Sequence, residues 1–246
     1  MNFSIVYTIL IIVLAIPTFF TDFAQSIPLG MRIFVLVFAL AVLWLYILFF
    51  RGKGRLGFGG VILLILFYFF TFVIIVPTGV GSTIISLLES SKMNSPITIG
   101  NDENTGQIYV VYHPGASNFT TNTLKILAEN IAQDDYQVTL YSVSKDLQVD
   151  FKEAAAIGFA SPIYAGSVRK ILADYIGKNN LSDKKCFIVV TGSDREGLEK
   201  DTSKVTEIVE NRGGKVIEKT KFFTSDKENE LKNKINLFSR ELLSKL

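Results

Sequence analysis

Gln107 to Thr123 reads QIYVVYHPGASNFTTNT, and this stretch decides the fold. Ile108, Tyr109, Val110, Val111 and Tyr112 form a short apolar run of β-branched and aromatic residues, the pattern of a buried strand. His113 and Pro114 end the run, and Gly115, Ala116, Ser117, Asn118 and Phe119 make a polar loop of mostly small residues. Thr120 or Thr121 is expected to cap a helix running to about Ala132. Leu124, Leu127, Ala128 and Ile131 recur at helical spacing and give that helix its apolar stripe. Strand, hydroxyl-rich loop and helix N-terminus together make an anion site, because backbone N–H groups and the helix dipole both favour negative charge there. No Lys or Arg lies between His113 and Thr123, so a phosphate bound here is held by neutral donors.

Toward the C-terminus the same alternation repeats. Strands are expected at Gln137–Val143, Ala154–Ala160, Cys186–Val190 and Lys215–Phe223. Helices are expected at about Ser167–Ile176, Lys200–Asn211 and Glu228–Leu243, with Gly213-Gly214 ending the second of these. Val168, Ile171, Leu172 and Tyr175 form the buried stripe of the first. Alternation of this kind predicts an α/β domain over residues 107–246, a parallel sheet covered on both faces. In such sheets ligands sit beyond the carboxyl ends of the strands, at the point where strand order reverses. The loops at those ends are His113–Thr120, Ser161–Gly166 and Thr191–Gly197.

Toward the N-terminus the chemistry changes. In residues 1–80 the only charged side chains are Asp22, Arg32, Arg51, Lys53 and Arg55. Three apolar runs, about 3–20, 29–50 and 60–80, approach the roughly 20 residues needed to span a bilayer. The first lacks the basic leader and small-residue cleavage site of a signal peptide, and is read as a retained helix. No Asp, Glu, Lys or His lies inside the runs, so they are expected to anchor the chain in the lipid bilayer rather than conduct ions. The Arg51, Lys53 and Arg55 loop is the most basic short loop, and the positive-inside rule puts it in the cytoplasm. The soluble domain would then lie outside the cytoplasm of a multi-pass protein of the cell membrane, with Lys92 counting the other way. Residues 81–106 read as a linker: a short interfacial helix around Ile84 to Leu88, then a tether rich in Asn, Gly, Pro and Asp.

Some chemistry is excluded. The net charge of +2 averages two unlike halves, and no basic patch suggests nucleic acid as a partner. One cysteine, Cys186, rules out an intrachain disulfide, and one histidine, His113, rules out an intrachain bis-histidine haem. No metal site is expected. Asp194, Arg195 and Glu196 read as a solvated turn, and Asn118-Phe119-Thr120 as an unused glycosylation sequon.

Residues 107–246 resemble the flavodoxin family. Five strands alternating with helices fit its sheet order 2-1-3-4-5. The loop after the first strand resembles the family's FMN-phosphate loop. Ser161-Pro162-Ile163-Tyr164-Ala165-Gly166 resembles the segment that lays an aromatic ring on the flavin. The resemblance implies a cofactor, FMN, and an FMN-dependent oxidoreductase or electron carrier working between a reduced donor and a quinone or protein acceptor. It assigns the phosphate to Gly115, Ala116, Ser117, Asn118, Phe119 and Thr120. It assigns the flavin ring to Ser161–Gly166, with Tyr164 stacking, and to Thr191, Gly192 and Ser193. No catalytic acid or base is implied. Two departures stand out: the compact Ser/Thr-x-Thr-Gly-x-Thr spacing is absent, and the loop after the fourth strand carries no aromatic. They motivate an alternative, a flavodoxin-like domain that has lost FMN and serves as a membrane-tethered binding or sensing module. A phosphate-receiver domain is disfavoured, because the first and third strands end at His113 and Ser161 rather than at carboxylates.

Overall fold

The computed structural model describes residues 95–101, 106–164, 166–193 and 197–246, with isolated helical positions at 33, 37, 84, 85 and 87. The chain divides into two units, Met1–Leu87 and Leu88–Leu246. The three expected membrane spans, 3–20, 29–50 and 60–80, lie outside the described residues. Among the described residues no helix is long and apolar enough to cross a membrane.

The second unit begins with β1 (Ile97–Ile99) and β2 (Gly106–Tyr112), followed by α1 (Phe119–Ile131), β3 (Tyr136–Ser142) and β4 (Ala154–Pro162). Then come α2 (Lys170–Lys178), β5 (Lys185–Gly192), α3 (Leu198–Asn211), β6 (Lys215–Phe223) and α4 (Glu228–Leu243). The sheet runs β1-β3-β2-β4-β5-β6. Strands β2 to β6 pair in parallel, in the order 2-1-3-4-5 when counted among themselves. The expectation of an all-parallel sheet is corrected at one edge, where β1 pairs antiparallel with β3 and makes the sheet mixed. Ile97 faces Leu140 and Ile99 faces Val138, so three residues read as tether form a strand. The physical reason is the open edge of β3, whose outward N–H and C=O groups take up a β-branched Ile-Thr-Ile segment.

Alternation along β2 sorts its side chains into two cores. Ile108, Val110 and Tyr112 pack with Leu124, Leu127 and Ile131 of α1 and Ile235, Phe238 and Leu242 of α4. Val111, Ile157, Phe159, Ile188 and Val190 pack with Leu172 and Ile176 of α2 and Val205 and Val209 of α3. The crossover from β3 to β4 carries no helix, and Leu147, Val149 and Phe151 cover the sheet there instead. Gly158 sits under the Phe187 ring, where a Cβ would meet Cζ at 2.4 Å, so the ring fills the space that a side chain on β4 would take.

Several boundaries move. Strands β4 and β5 run two residues past the expected ends, because Ser161 and Pro162 pair with Val190 and Thr191. Helix α2 starts at Lys170 rather than Ser167, since Tyr164 and Ser167 close a tight antiparallel turn and Arg169 is extended (φ −62°, ψ 131°). The N-cap position of helix α1 is Asn118, not Thr120 or Thr121, and the Asn118 side chain makes no capping hydrogen bond.

Candidate functional site

Sheet order reverses between β2 and β4, which places the loops after β2, β4 and β5 side by side at the carboxyl ends of the strands. Backbone bonds pin these ends together. The His113 N–H donates to the Ala160 carbonyl at 2.9 Å, and the Ile163 N–H to the Thr191 carbonyl at 2.8 Å.

The first loop is folded on itself. Gly115 takes φ +75°, a left-handed conformation, and a Cβ there would lie 2.9 Å from Pro162 Cγ. Its N–H donates to His113 Nδ1 at 3.1 Å. His113 is 2 % exposed, and burial, helped by the positive charge of Arg169, lowers its pKa to about 3. The imidazole is therefore neutral and holds the loop as an acceptor. The Ala116 N–H donates to Tyr164 Oη at 3.0 Å, tying the first loop to the second. Ser117 and Asn118 are exposed at the start of α1, and Ser117 Oγ accepts the Phe119 N–H at 3.4 Å.

Thr120 points inward and shares a 2.8 Å hydrogen bond with Thr191 across the sheet end, both hydroxyls buried. This bond joins the first loop's helix to the third loop. Ser161 is also buried; its hydroxyl donates to the Pro162 carbonyl at 2.9 Å and accepts the Arg169 N–H at 3.1 Å. Both side chains expected at a ligand thus serve to hold the loops. Tyr164 is partly buried, and Gly166 takes φ +73° in the turn behind it. The space where a Gly192 Cβ would stand is 3.8 Å from Ile163 Cβ, so the second and third loops meet. Ser193 is exposed, while Ala165 and the Asp194, Arg195 and Glu196 turn lie outside the described residues.

Two features escaped the sequence-based reading. Arg169 is fully buried, and its Cζ lies 5.6 Å from the centre of the Tyr164 ring. Helical spacing gives no signal for it, because Arg169 precedes α2 in an extended conformation and is not on the helical face of Leu172 and Ile176. Lys221 and Asp201 form a buried pair at 2.5 Å, their side chains 2 % and 7 % exposed. Lys221 Cε lies 3.5 Å from where a Gly192 Cβ would stand, so the pair underlies the third loop.

Among the described residues the site offers amide and hydroxyl donors, a helix N-terminus, the Tyr164 ring and the buried cations Arg169 and Lys221. Cys186 lies at the opposite, amino end of β5, where burial raises its thiol to about 12. Among the described residues no group of His, Cys, Asp or Glu is placed to hold a metal ion.

An FMN phosphate fits the outer part of the first loop. Ser117 and Asn118 expose a hydroxyl and a carboxamide there, and the Asn118 side chain caps none of the first-turn amides of α1, of which the Phe119 N–H is held by Ser117 Oγ. The inner amides of Gly115 and Ala116 are already engaged by His113 and Tyr164.

No family model matches the sequence, and no curated protein matches it. Solved structures do match. Oxidised flavodoxin 1 from Bacillus cereus is 13% identical with a TM-score of 0.48, covering 58% of this chain and 99% of that one. A flavodoxin from Streptococcus pneumonia is 19% identical with a TM-score of 0.48, covering 57% of this chain and 100% of that one. A Fusobacterium nucleatum flavodoxin bound to flavin mononucleotide is 14% identical with a TM-score of 0.48, covering 57% and 98%. The strand order, read from this chain's own pairing, is that of the α/β flavodoxin-like fold, with one antiparallel strand added at its edge.

Proposed function

We propose that this chain binds FMN at the carboxyl ends of β2, β4 and β5 and carries electrons between a reduced donor and a quinone or protein acceptor. The observation that carries the proposal is the convergence of three loops at the strand-order reversal, cross-linked by Thr120 to Thr191 and by Ala116 to Tyr164. Ser117, Asn118 and the first amides of α1 would hold the phosphate. Tyr164 would cover one face of the flavin ring, and the backbone of Thr191 to Ser193 would border it. FMN supplies the redox chemistry. The chain's own residues orient the ring, limit its contact with water and keep the loop preformed through neutral His113. The apolar runs of residues 1–80 would hold this domain at a membrane, close to lipid-soluble acceptors.

The test uses the purified full-length chain. Absorption bands of a bound flavin should co-purify or appear on adding FMN, and Ser117→Ala should weaken uptake about tenfold, the loss of one hydrogen bond to a charged group. A folded chain that is colourless once unbound FMN has been removed after incubation with an excess contradicts the proposal.

A second function, an FMN-free binding module, is favoured by one observation. The Gly115 and Ala116 amides are satisfied from within the protein. The same colourless result would make it the leading account.

A further inference from the structure

We propose that the end of the sheet that carries the candidate site, the carboxyl ends of β2, β4 and β5, is the face this domain turns to a lipid surface. The inference rests on the reading of residues 1–80 as membrane-held, and deepens it by naming the surface that meets the lipid.

The direction of β1 points to that end. It is antiparallel to β3, with Ile97 level with Leu140 and Ile99 with Val138. The chain therefore enters the sheet near the carboxyl end of β3 (Tyr136–Ser142) and runs toward its amino end. A parallel β1 would have brought the chain in at the opposite end. β1 lies two strands from β2, so at about 4.8 Å per strand the entry point is roughly 10 Å across the sheet from the strand that leads into the first loop.

Chain length limits what the preceding residues can do. Ile84 and Leu87 are helical, three residues apart on one face, and 51% and 64% exposed. Such an apolar pair suits the boundary between water and lipid. From Leu87 to Ile97 the chain reaches at most about 35 Å, however it is arranged. The seven residues of β2 or of β3 cover about 23 Å, and the turns add to that at each end. With the amino ends toward lipid, this connection would have to run back along nearly the whole sheet, close to full extension, where it keeps least conformational entropy. With the carboxyl ends toward lipid it has only a short gap to cross.

Charge separates the two ends in the same sense. The first loop and the start of α1, His113 to Leu124, contain no Asp, Glu, Lys or Arg, and neither does Ser161 to Val168 after β4. The turns at the amino ends carry Asp134 and Asp135 before β3, Lys152 and Glu153 before β4, and Asp183 and Lys184 before β5. Pressing such charges against lipid costs desolvation, whereas neutral loops with Tyr164 partly exposed meet a headgroup layer without that cost.

The test puts a fluorescent label at either end of α1 in the full-length chain, reconstituted in phosphatidylcholine vesicles that carry a nitroxide on a fraction of the lipid headgroups. Asn122 and Gln133 are both exposed, and Cys186 is fully buried and does not take the label. Labels on Asn122→Cys and Gln133→Cys stand about 16 Å apart at 1.5 Å per residue, so quenching at 122 should exceed that at 133 at least about twofold. Ser193→Cys and Ser182→Cys repeat the comparison at the two ends of β5, and 193 should be the more quenched. Equal quenching at the two ends, or stronger quenching at 133 and 182, overturns the inference and leaves the membrane reading standing. A chain that washes off the vesicles at alkaline pH removes the membrane reading and this inference with it, and leaves FMN binding to its own test.

Discussion

The two ends of the sheet are built differently. At the amino ends of the parallel strands the connections are plain turns. Asp135 and Asp183 take φ near +60°, Gly213 takes φ +85°, and backbone bonds such as Asp183 N–H to the Gly213 carbonyl close them. Among the described residues Gln137, at the start of β3, is the buried polar side chain at that end, whereas the carboxyl ends bury His113, Thr120, Ser161, Arg169, Thr191, Asp201 and Lys221. Burying such groups costs free energy unless each is bonded, so one end looks optimised for closing turns and the other for holding three loops in fixed relation. Stability alone would be served as well by apolar residues at both ends.

The largest expected break in this contrast is at the buried ion pair. Lys221→Met leaves Asp201 charged and buried, and should cost about 3–5 kcal/mol in urea unfolding. Adding Asp201→Leu should return most of that loss, because the pair as a whole contributes little beyond what apolar packing would. A double variant as unstable as the single would show that the pair itself is a net source of stability.

Next comes pH. His113 has its pKa lowered from 6.5 to about 3 in the folded chain, so protons bind the unfolded state first as pH falls. Its contribution to stability is complete above 6.5 and is lost as pH falls toward 3, a deficit of about 3 kcal/mol by pH 4. His113→Gln should flatten this dependence relative to wild type over that window. Parallel pH profiles for the two proteins would mean the imidazole is not buried neutral.

A smaller effect is expected at the hydroxyl bridge. Thr120→Val or Thr191→Val leaves one buried hydroxyl unsatisfied, at about 1–3 kcal/mol, while the double variant should cost less than the sum. Strict additivity in that cycle would deny the bond. At the opposite end, Asp183→Gly relieves a left-handed backbone and should change stability by no more than about 0.5 kcal/mol, with FMN affinity untouched.

Much of the fold is legible in the sequence, and the reason is local. β2, β4 and β5 are runs of mostly apolar residues, and glycine or polar turns separate the parallel strands. β1 is not legible, because three residues carry no period and the edge it completes exists only once β3 is in place. The loops of the candidate site were also readable, as polar segments that follow strands. The partnerships inside them were not. Thr120 looks like a helix cap beside its neighbours, yet its hydroxyl meets Thr191, 71 residues away. Ser161 looks like a ligand donor, yet it holds Arg169. Side chains with two competing local uses take the one that tertiary packing permits. Asp201 carried a faint signal, a charge on the helical face of Val205 and Val209, while Arg169 precedes its helix and carried none.

The most direct test of the central claim, that the carboxyl ends of the strands form an FMN site, is amide hydrogen exchange of the full-length chain with and without FMN. The account expects slower exchange at 116–121, 163–168 and 191–193 on adding FMN, and unchanged exchange in the turns at 133–135 and 182–184. Protection confined to the amino-end turns, or no protection anywhere at saturating FMN, would contradict it.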